Sequence, residues 1–390
     1  MSFYSRRRVL HSLVAGVSAG ALALSGCSSS VEGSEVKEGM GNASPAPAAS
    51  PAMTGGLKGK LKKIDENITD AVLAGDQVIS KAQGKIFAGP LNNPAAKSVV
   101  LKNQCGLLAP GGNTALLPCS DGIHVLSPEG TVAAVVGRGT GYSSAVGLPG
   151  GRIIGHRSDS DQVDVFGADG ELSETFGASR EGSQLVAVPP VGDGPATRLM
   201  EVNRPETSVH ELKLDETRTG SGLRAGIGVG KAAAGTKYIA AADTKGNQLL
   251  VYTMTDIIRL HQAAPVPESP WAVAVDDSRD LIWVASTKVN KLTAYDVSSG
   301  TPVRMAEIDT VADPQSLVVA ENGAVEVFSA TGQGAQLLEP SDIDKAIEDY
   351  AAESKQRGDD LAVREPANNL PTGEDNSAPK QGADQQGGQK

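Results

Sequence analysis

Pro270-Trp271-Ala272-Val273-Ala274-Val275, followed by Leu281-Ile282-Trp283-Val284-Ala285-Ser286, decides the fold of this chain because it occurs twice. Pro314-Gln315-Ser316-Leu317-Val318-Val319 and Val325-Glu326-Val327-Phe328-Ser329-Ala330 match it at an offset of 44 residues. Each run is short, rich in β-formers and bounded by turn residues, so each pair reads as two strands. Working outward, a further strand recurs as Ile123-His124-Val125-Leu126, Val163-Asp164-Val165-Phe166, Val209-His210-Glu211-Leu212, Leu249-Leu250-Val251-Tyr252 and Leu292-Thr293-Ala294-Tyr295. Their first residues lie 40, 46, 40 and 43 apart. A period in that range, with four short strands per unit, marks the blade of an all-β propeller.

The repeats count to six blades over residues 98–340. The last unit has room for only one more strand, near Ala335 to Leu338, and so lacks its outermost one. Ser98-Val99-Val100-Leu101-Lys102 is expected to supply it, which would close the ring and remove its open edges. Residues 58–97 carry Leu61, Ile64, Ile68, Val72 and Leu73 at helical spacing and read as a helical extension; strands there would raise the count to seven. Ser341-Asp342-Ile343-Asp344 opens a helix over 341–357, and residues 358–390, rich in Gly, Asp, Asn, Gln and Pro, read as a disordered tail.

Cys105 and Cys119 flank Pro110-Gly111-Gly112-Asn113 at equal distances from residue 112, which places them opposite each other on a hairpin. That position predicts a disulfide. A closed loop of about fifteen residues is worth roughly 3 kcal/mol in the chain-entropy model.

At the amino end, Arg6-Arg7-Arg8 precedes an apolar run from Leu13 to Leu24 and the box Leu24-Ser25-Gly26-Cys27. The run is too short to span as a mature helix and reads as a secretory signal over residues 1–26. The box resembles a bacterial lipoprotein signal of actinobacterial type, which implies cleavage before Cys27 and a diacylglyceryl thioether on its sulfur. Two acyl chains anchor stably where one does not. Ser5-Arg6-Arg7-Arg8-Val9-Leu10 also resembles a twin-arginine export signal. Residues 27–57, dominated by Ser, Gly, Ala and Pro, read as a flexible tether reaching roughly 30 Å. Cleavage removes three arginines and no acids, taking the net charge from −11 to −14. So acidic a surface argues against nucleic acid and against peripheral adhesion to anionic lipid. The expected location is the outer face of the cytoplasmic membrane of a high-GC Gram-positive bacterium, with the protein a monomer held by its lipid.

The repeats resemble six-bladed propellers with NHL-like or YVTN-like strand patterns from extracytoplasmic bacterial proteins. Pro-Trp-Ala-Val-Ala-Val-Asp-Asp and Leu-Ile-Trp-Val-Ala-Ser carry that resemblance, which implies an architecture and no activity.

The inner strands open near Cys105, Ser144, Gln184, Arg224, Trp271 and Gln315, a set without a carboxylate. A calcium-dependent lactonase of the propeller type needs several hard oxygen ligands there. No Gly-x-Ser-x-Gly, His-Glu-x-x-His or Gly-x-x-x-x-Gly-Lys motif occurs. His124 and His210 sit at equivalent strand positions and read as structural, and His156-Arg157-Ser158-Asp159-Ser160-Asp161 reads as a solvated loop. The expectation is therefore a non-enzymatic binding module without metal or cofactor, with a propeller hydrolase or lactonase as the alternative. By blade position, the face carrying the inter-blade connections balances eight cations against eight acids, whereas the opposite face has two against ten. Arg138, Arg180 and Arg224 come from three successive blade junctions on the balanced face, with Trp271 and Tyr142 expected to add flat apolar area. Such a cluster grips carboxylates or phosphates bidentately, which points to an anionic ligand, an envelope protein or a cell-wall glycan as partner.

Overall fold

The structure, a computed structural model, describes residues 43–53, 55–188, 197–255 and 257–357. The signal segment, Cys27 and the tail from residue 358 lie outside the described residues.

Seven four-stranded antiparallel sheets form a β-propeller. Blades 1 to 6 occupy residues 70–100, 109–136, 142–177, 184–224, 229–265 and 270–309. Blade 7 takes its three inner strands from residues 314–338 and its outermost from Lys60–Lys62, which pairs with Ala335–Leu338. Residues 58–97, expected to be helical, thus hold the closing strand and most of blade 1. Ser98 to Val100, expected to close the ring, instead pair with Lys85 to Phe87 as the outer edge of blade 1. The blade count is seven rather than six.

Each seam between neighbouring blades holds its own apolar cluster, seven in all. The second strands are buried on both faces, as in Leu281–Ser286 with Trp283 fully enclosed, and read as unbroken apolar runs. Outer strands such as Leu172–Gly177 stay exposed. The helix Pro340–Arg357 seals blade 6 by burying Ile343 and Ala346. Cys105 pairs with Cys119 across the blade 2 hairpin in a disulfide, with Cα atoms 3.9 Å apart.

Two features of the repeat prepare the site. Ser269 and Asp313, 44 residues apart, both take left-handed backbone (φ 57° and 53°) just before their inner strands. Those strands then carry a bulge, between Pro270 and Ala272 and between Pro314 and Ser316. Blades 3 and 5 show the same irregularity, skipping Ser143 and the pair Gly230-Lys231. A bulge breaks the alternation of a strand and re-aims the extra residue.

The tether expectation also changes. Residues 43–53 lie across the junction face, the one carrying the inter-blade connections and the turns between second and third strands. Ala43 N donates to Pro205 O at 2.7 Å and Ala48 N to Ser269 Oγ at 2.9 Å. Asn290 Nδ2 donates to Pro51 O at 2.9 Å, while Ser50 Oγ accepts from Asp313 N at 2.8 Å. The Pro/Ala-rich segment is therefore an ordered strap over blades 4 to 7. Its prolines lack N–H groups and hold an extended backbone, so few hydrogen bonds suffice to seat it.

Candidate functional site: the channel mouth

Five blades, 1 and 4 to 7, bring charged and polar side chains to the junction-face mouth of the central channel. Lys231, in the blade 5 bulge, donates to Asp70 Oδ1 at 2.9 Å, Thr69 O at 2.8 Å and Gln315 O at 3.0 Å. Three acceptors saturate an ammonium, so Lys231 is charged and ion-paired with Asp70, both sealed from solvent. Burial pulls its pKa down, and the carboxylate opposes that shift. The second oxygen of Asp70 accepts the backbone N–H of Leu108. Blades 1, 2, 5 and 7 are thus tied together at one ion pair.

Arg204 enters from the turn between the second and third strands of blade 4. Its Nε donates to Gly230 O at 2.7 Å and its Nη2 to Gln184 Oε1 at 3.3 Å. Gln184 is itself fixed by Ala232, donating to its carbonyl at 2.7 Å and accepting its N–H at 3.0 Å. The guanidinium lies 6.0 Å from the ring centroid of Trp271, within cation–π range. Burial lowers the Arg204 pKa to about 10 against the pull of Asp70. Lys81 from blade 1 donates to the carbonyls of Cys105 and Gly106, its pKa lowered by burial and by Lys231, with Asp70 opposing. At the rim, Gln315 Nε2 donates to both oxygens of Asp313 at 3.1 Å, and burial raises the pKa of Asp313.

Of the residues expected to open the channel, Gln184, Trp271 and Gln315 are there. Arg224 is not: it ends the exposed outer strand of blade 4 and donates to Glu206 O at 2.8 Å. Lys231 takes the inward place. One period of 40 residues back from Trp271 lands on it, the signal that locates it in the sequence. The expectation of a channel mouth without a carboxylate fails at Asp70, which lies in the blade read as a helix. Its two oxygens are engaged by an ammonium and an amide, so they are committed to joining blades.

Tyr142 does not offer surface area. It is buried between blades 2 and 3, edge-on to Phe166 at 6.1 Å, and its hydroxyl donates to Asp164 Oδ2 at 2.7 Å. Arg138 and Arg180 are exposed and make no hydrogen bond or ion pair to another described residue. His156 is no loop residue either. It is buried in the second strand of blade 3, with Nδ1 2.8 Å from Arg157 O, Nε2 2.9 Å from Ser179 O and Glu201 Oε1 3.0 Å away. Both ring nitrogens lie near backbone carbonyl oxygens, and the Gly182 N–H also points at Nε2, at 3.3 Å. Burial alone would lower its pKa, but Glu201 and the two carbonyls outweigh that and raise it. Cys119, Asp121 and His124 come within ligand distance of one another, but the sulfur of Cys119 is bonded to Cys105.

No family model matches this sequence, and no curated protein matches it. Among solved structures, hydrazine synthase of Kuenenia stuttgartiensis is similar at 12% identity and a TM-score of 0.57, covering 74% of this chain and 99% of that one. The WD40 β-propeller domain of Doa1 is similar at 12% identity and a TM-score of 0.54, covering 73% and 98%. U3-55K follows at 12% and 0.55, covering 72% and 93%. At such identity the likeness is one of fold, and it agrees with the propeller read from the repeat.

Proposed function

We propose that the protein is a cell-envelope lipoprotein, anchored through a diacylglyceryl group on Cys27 at the outer face of the cytoplasmic membrane. Its propeller acts as a non-enzymatic binding module for an envelope protein or cell-wall glycan. The supporting observation is the junction face itself. Over blades 4 to 7 it already holds an extended Pro/Ala-rich segment through loop side chains and backbone. The arc over blades 2 to 4 presents Arg138 and Arg180, which have no acidic partner among the described residues.

Two experiments test this reading. Cys27→Ala protein should leave the membrane fraction, and persistent membrane association would refute lipid anchoring. In envelope cross-linking, the triple Arg138→Ala, Arg180→Ala, Arg224→Ala protein should fold normally and lose its partner. Glu129→Gln with Glu321→Gln, on the opposite face, should retain it. Equal loss from both sets would refute the assignment of the binding face. Asp276 is unsuitable as a control there, because it is buried and accepts from Ser278, Arg279 and Trp283.

A further inference from the structure

The channel mouth holds more positive charge than its own residues neutralise. Lys81, Arg204 and Lys231 surround Asp70, and the Lys231–Asp70 ion pair accounts for only one of the three cations. Neither Arg204 nor Lys81 has a carboxylate within ion-pair distance among the described residues; their protein acceptors are carbonyls and one amide oxygen. Charges drawn partly out of water are ordinarily paired, so two half-buried cations without a carboxylate at one place call for a counter-charge. A donor also remains unused: Arg204 Nη1 makes no hydrogen bond to a described residue. Lys81, Gln184, Arg204, Trp271 and Gln315 each keep part of their surface accessible, so solvent reaches the space they border.

We propose that the channel mouth binds a small oxyanion, held by Arg204 and Lys81 with the Trp271 ring as wall. Phosphate and dicarboxylate share that chemistry. Arg204 is preorganised for it, since Gly230 O, Gln184 and the Trp271 ring fix the plane of its fork. Lys231 contributes field rather than contact, because its three donors are spent. At the rim, both oxygens of Asp313 are engaged by Gln315. None of this depends on the anchoring and partner reading, which fails or stands on fractionation and cross-linking.

The test is titration calorimetry of the purified mature chain with inorganic phosphate and, separately, malonate, against chloride at matched ionic strength. A saturable site for one molecule is expected with at least one of the two; preference for phosphate assigns tetrahedral geometry and preference for malonate a dicarboxylate. Arg204→Gln should weaken binding at least tenfold, Arg204→Lys and Trp271→Phe several-fold, and Arg152→Gln, at an exposed position elsewhere, not at all. Asp70→Asn, which removes the competing charge, should tighten it. Absence of saturable binding, an equal response to chloride, full affinity in both Arg204 variants, or loss in Arg152→Gln would overturn the proposal.

Discussion

Replacing Glu326 by Gln should stabilise this protein at neutral pH, by an amount that grows with pH. Glu326 lies on the second strand of blade 7, where Val325 and Val327 pack toward blade 6 and Phe328 toward blade 1. It is fully buried, and neither carboxyl oxygen has a hydrogen-bond partner. Burial pushes its pKa up to about 9, with no charged neighbour to oppose the shift. The native state therefore keeps a proton that the unfolded chain releases near pH 4.5. Stability accordingly falls as pH rises from that value toward 9.

The slope is about 1.4 kcal/mol per pH unit, so the penalty at pH 7 is on the order of 3 kcal/mol. Glutamine has the shape of the neutral acid and leaves similarly unpartnered polar atoms, so near pH 4.5 the two proteins should unfold alike. By pH 7 the variant should lead by up to about 3 kcal/mol, or roughly 5 °C in Tm for a chain of this size. Urea unfolding at pH 5, 6, 7 and 8 measures the difference. A gap that stays constant across this range would refute the reasoning, because only an ionisation linked to folding makes it grow.

Other outcomes follow from the same structure. His156→Gln should destabilise by about 3–5 kcal/mol by leaving the buried Glu201 carboxylate without the ring that faces it. Because the folded pKa of His156 is raised, its contribution is complete below the ordinary value of 6.5 and fades as pH rises through the folded one; denaturation at pH 6 and pH 9 should show the wild-type advantage shrinking. Reducing Cys105–Cys119, or replacing both with Ala, should lower stability by about 3 kcal/mol without unmaking the propeller, as read by far-UV circular dichroism through a melt. Gly334 has φ +97°, and a Cβ there would sit 2.1 Å from Lys62 O on the closing strand. Gly334→Ala should cost about 1–3 kcal/mol and expose residues 58–64 to limited proteolysis; unchanged protease resistance would contradict a closure through Lys60–Lys62.

Most of the fold was legible because the repeat was. The 44-residue match between blades 6 and 7 extends to the left-handed residue before each inner strand and to the bulge after it. Blade 1 escaped because its apolar residues mimic a helix. Ile64 and Ile68 sit four apart, yet both belong to the chain entering blade 1 and pack in the seam with blade 7. Val78 and Ile79, adjacent in sequence, are buried in different seams. A strand covered on both faces loses the alternation that would have distinguished it. The strap escaped for a different reason. Pro, Ala and Ser have little to bury, so composition reads residues 43–53 as tether, while the partners that seat them lie roughly 160 to 260 residues away in the loops.

The channel mouth shows what strict alternation hides. An inner strand of a propeller points alternate residues at the neighbouring blades, and a rule of two would assign the channel to whichever residue opens the strand. Here an extra residue at the start of blades 3, 5, 6 and 7 breaks that rule, placing Ser143, Gly230-Lys231, Trp271 and Gln315 at the irregularity. Composition alone cannot choose between Arg224 and Lys231, seven residues apart and both cationic. The glycines between them decide it. Gly226, with φ +69°, turns the chain over the carboxylate of Asp243, which accepts the N–H groups of Ile227 and Gly228. Gly230 then lies between Thr244 and Trp271, where a Cβ would meet the Thr244 Oγ1 at 2.5 Å and the ring at 3.1 Å. That close approach lets Arg204 reach over the ring to the Gly230 carbonyl. A side chain at position 230 should therefore press on Thr244 and on the Trp271 ring, and through them shift the carbonyl that holds Arg204. Gly230→Ala is expected to fold, to quench or shift the Trp271 fluorescence, and to lose oxyanion affinity as Arg204→Gln does; wild-type affinity in that variant would mean that the Gly230 contact does not position the guanidinium.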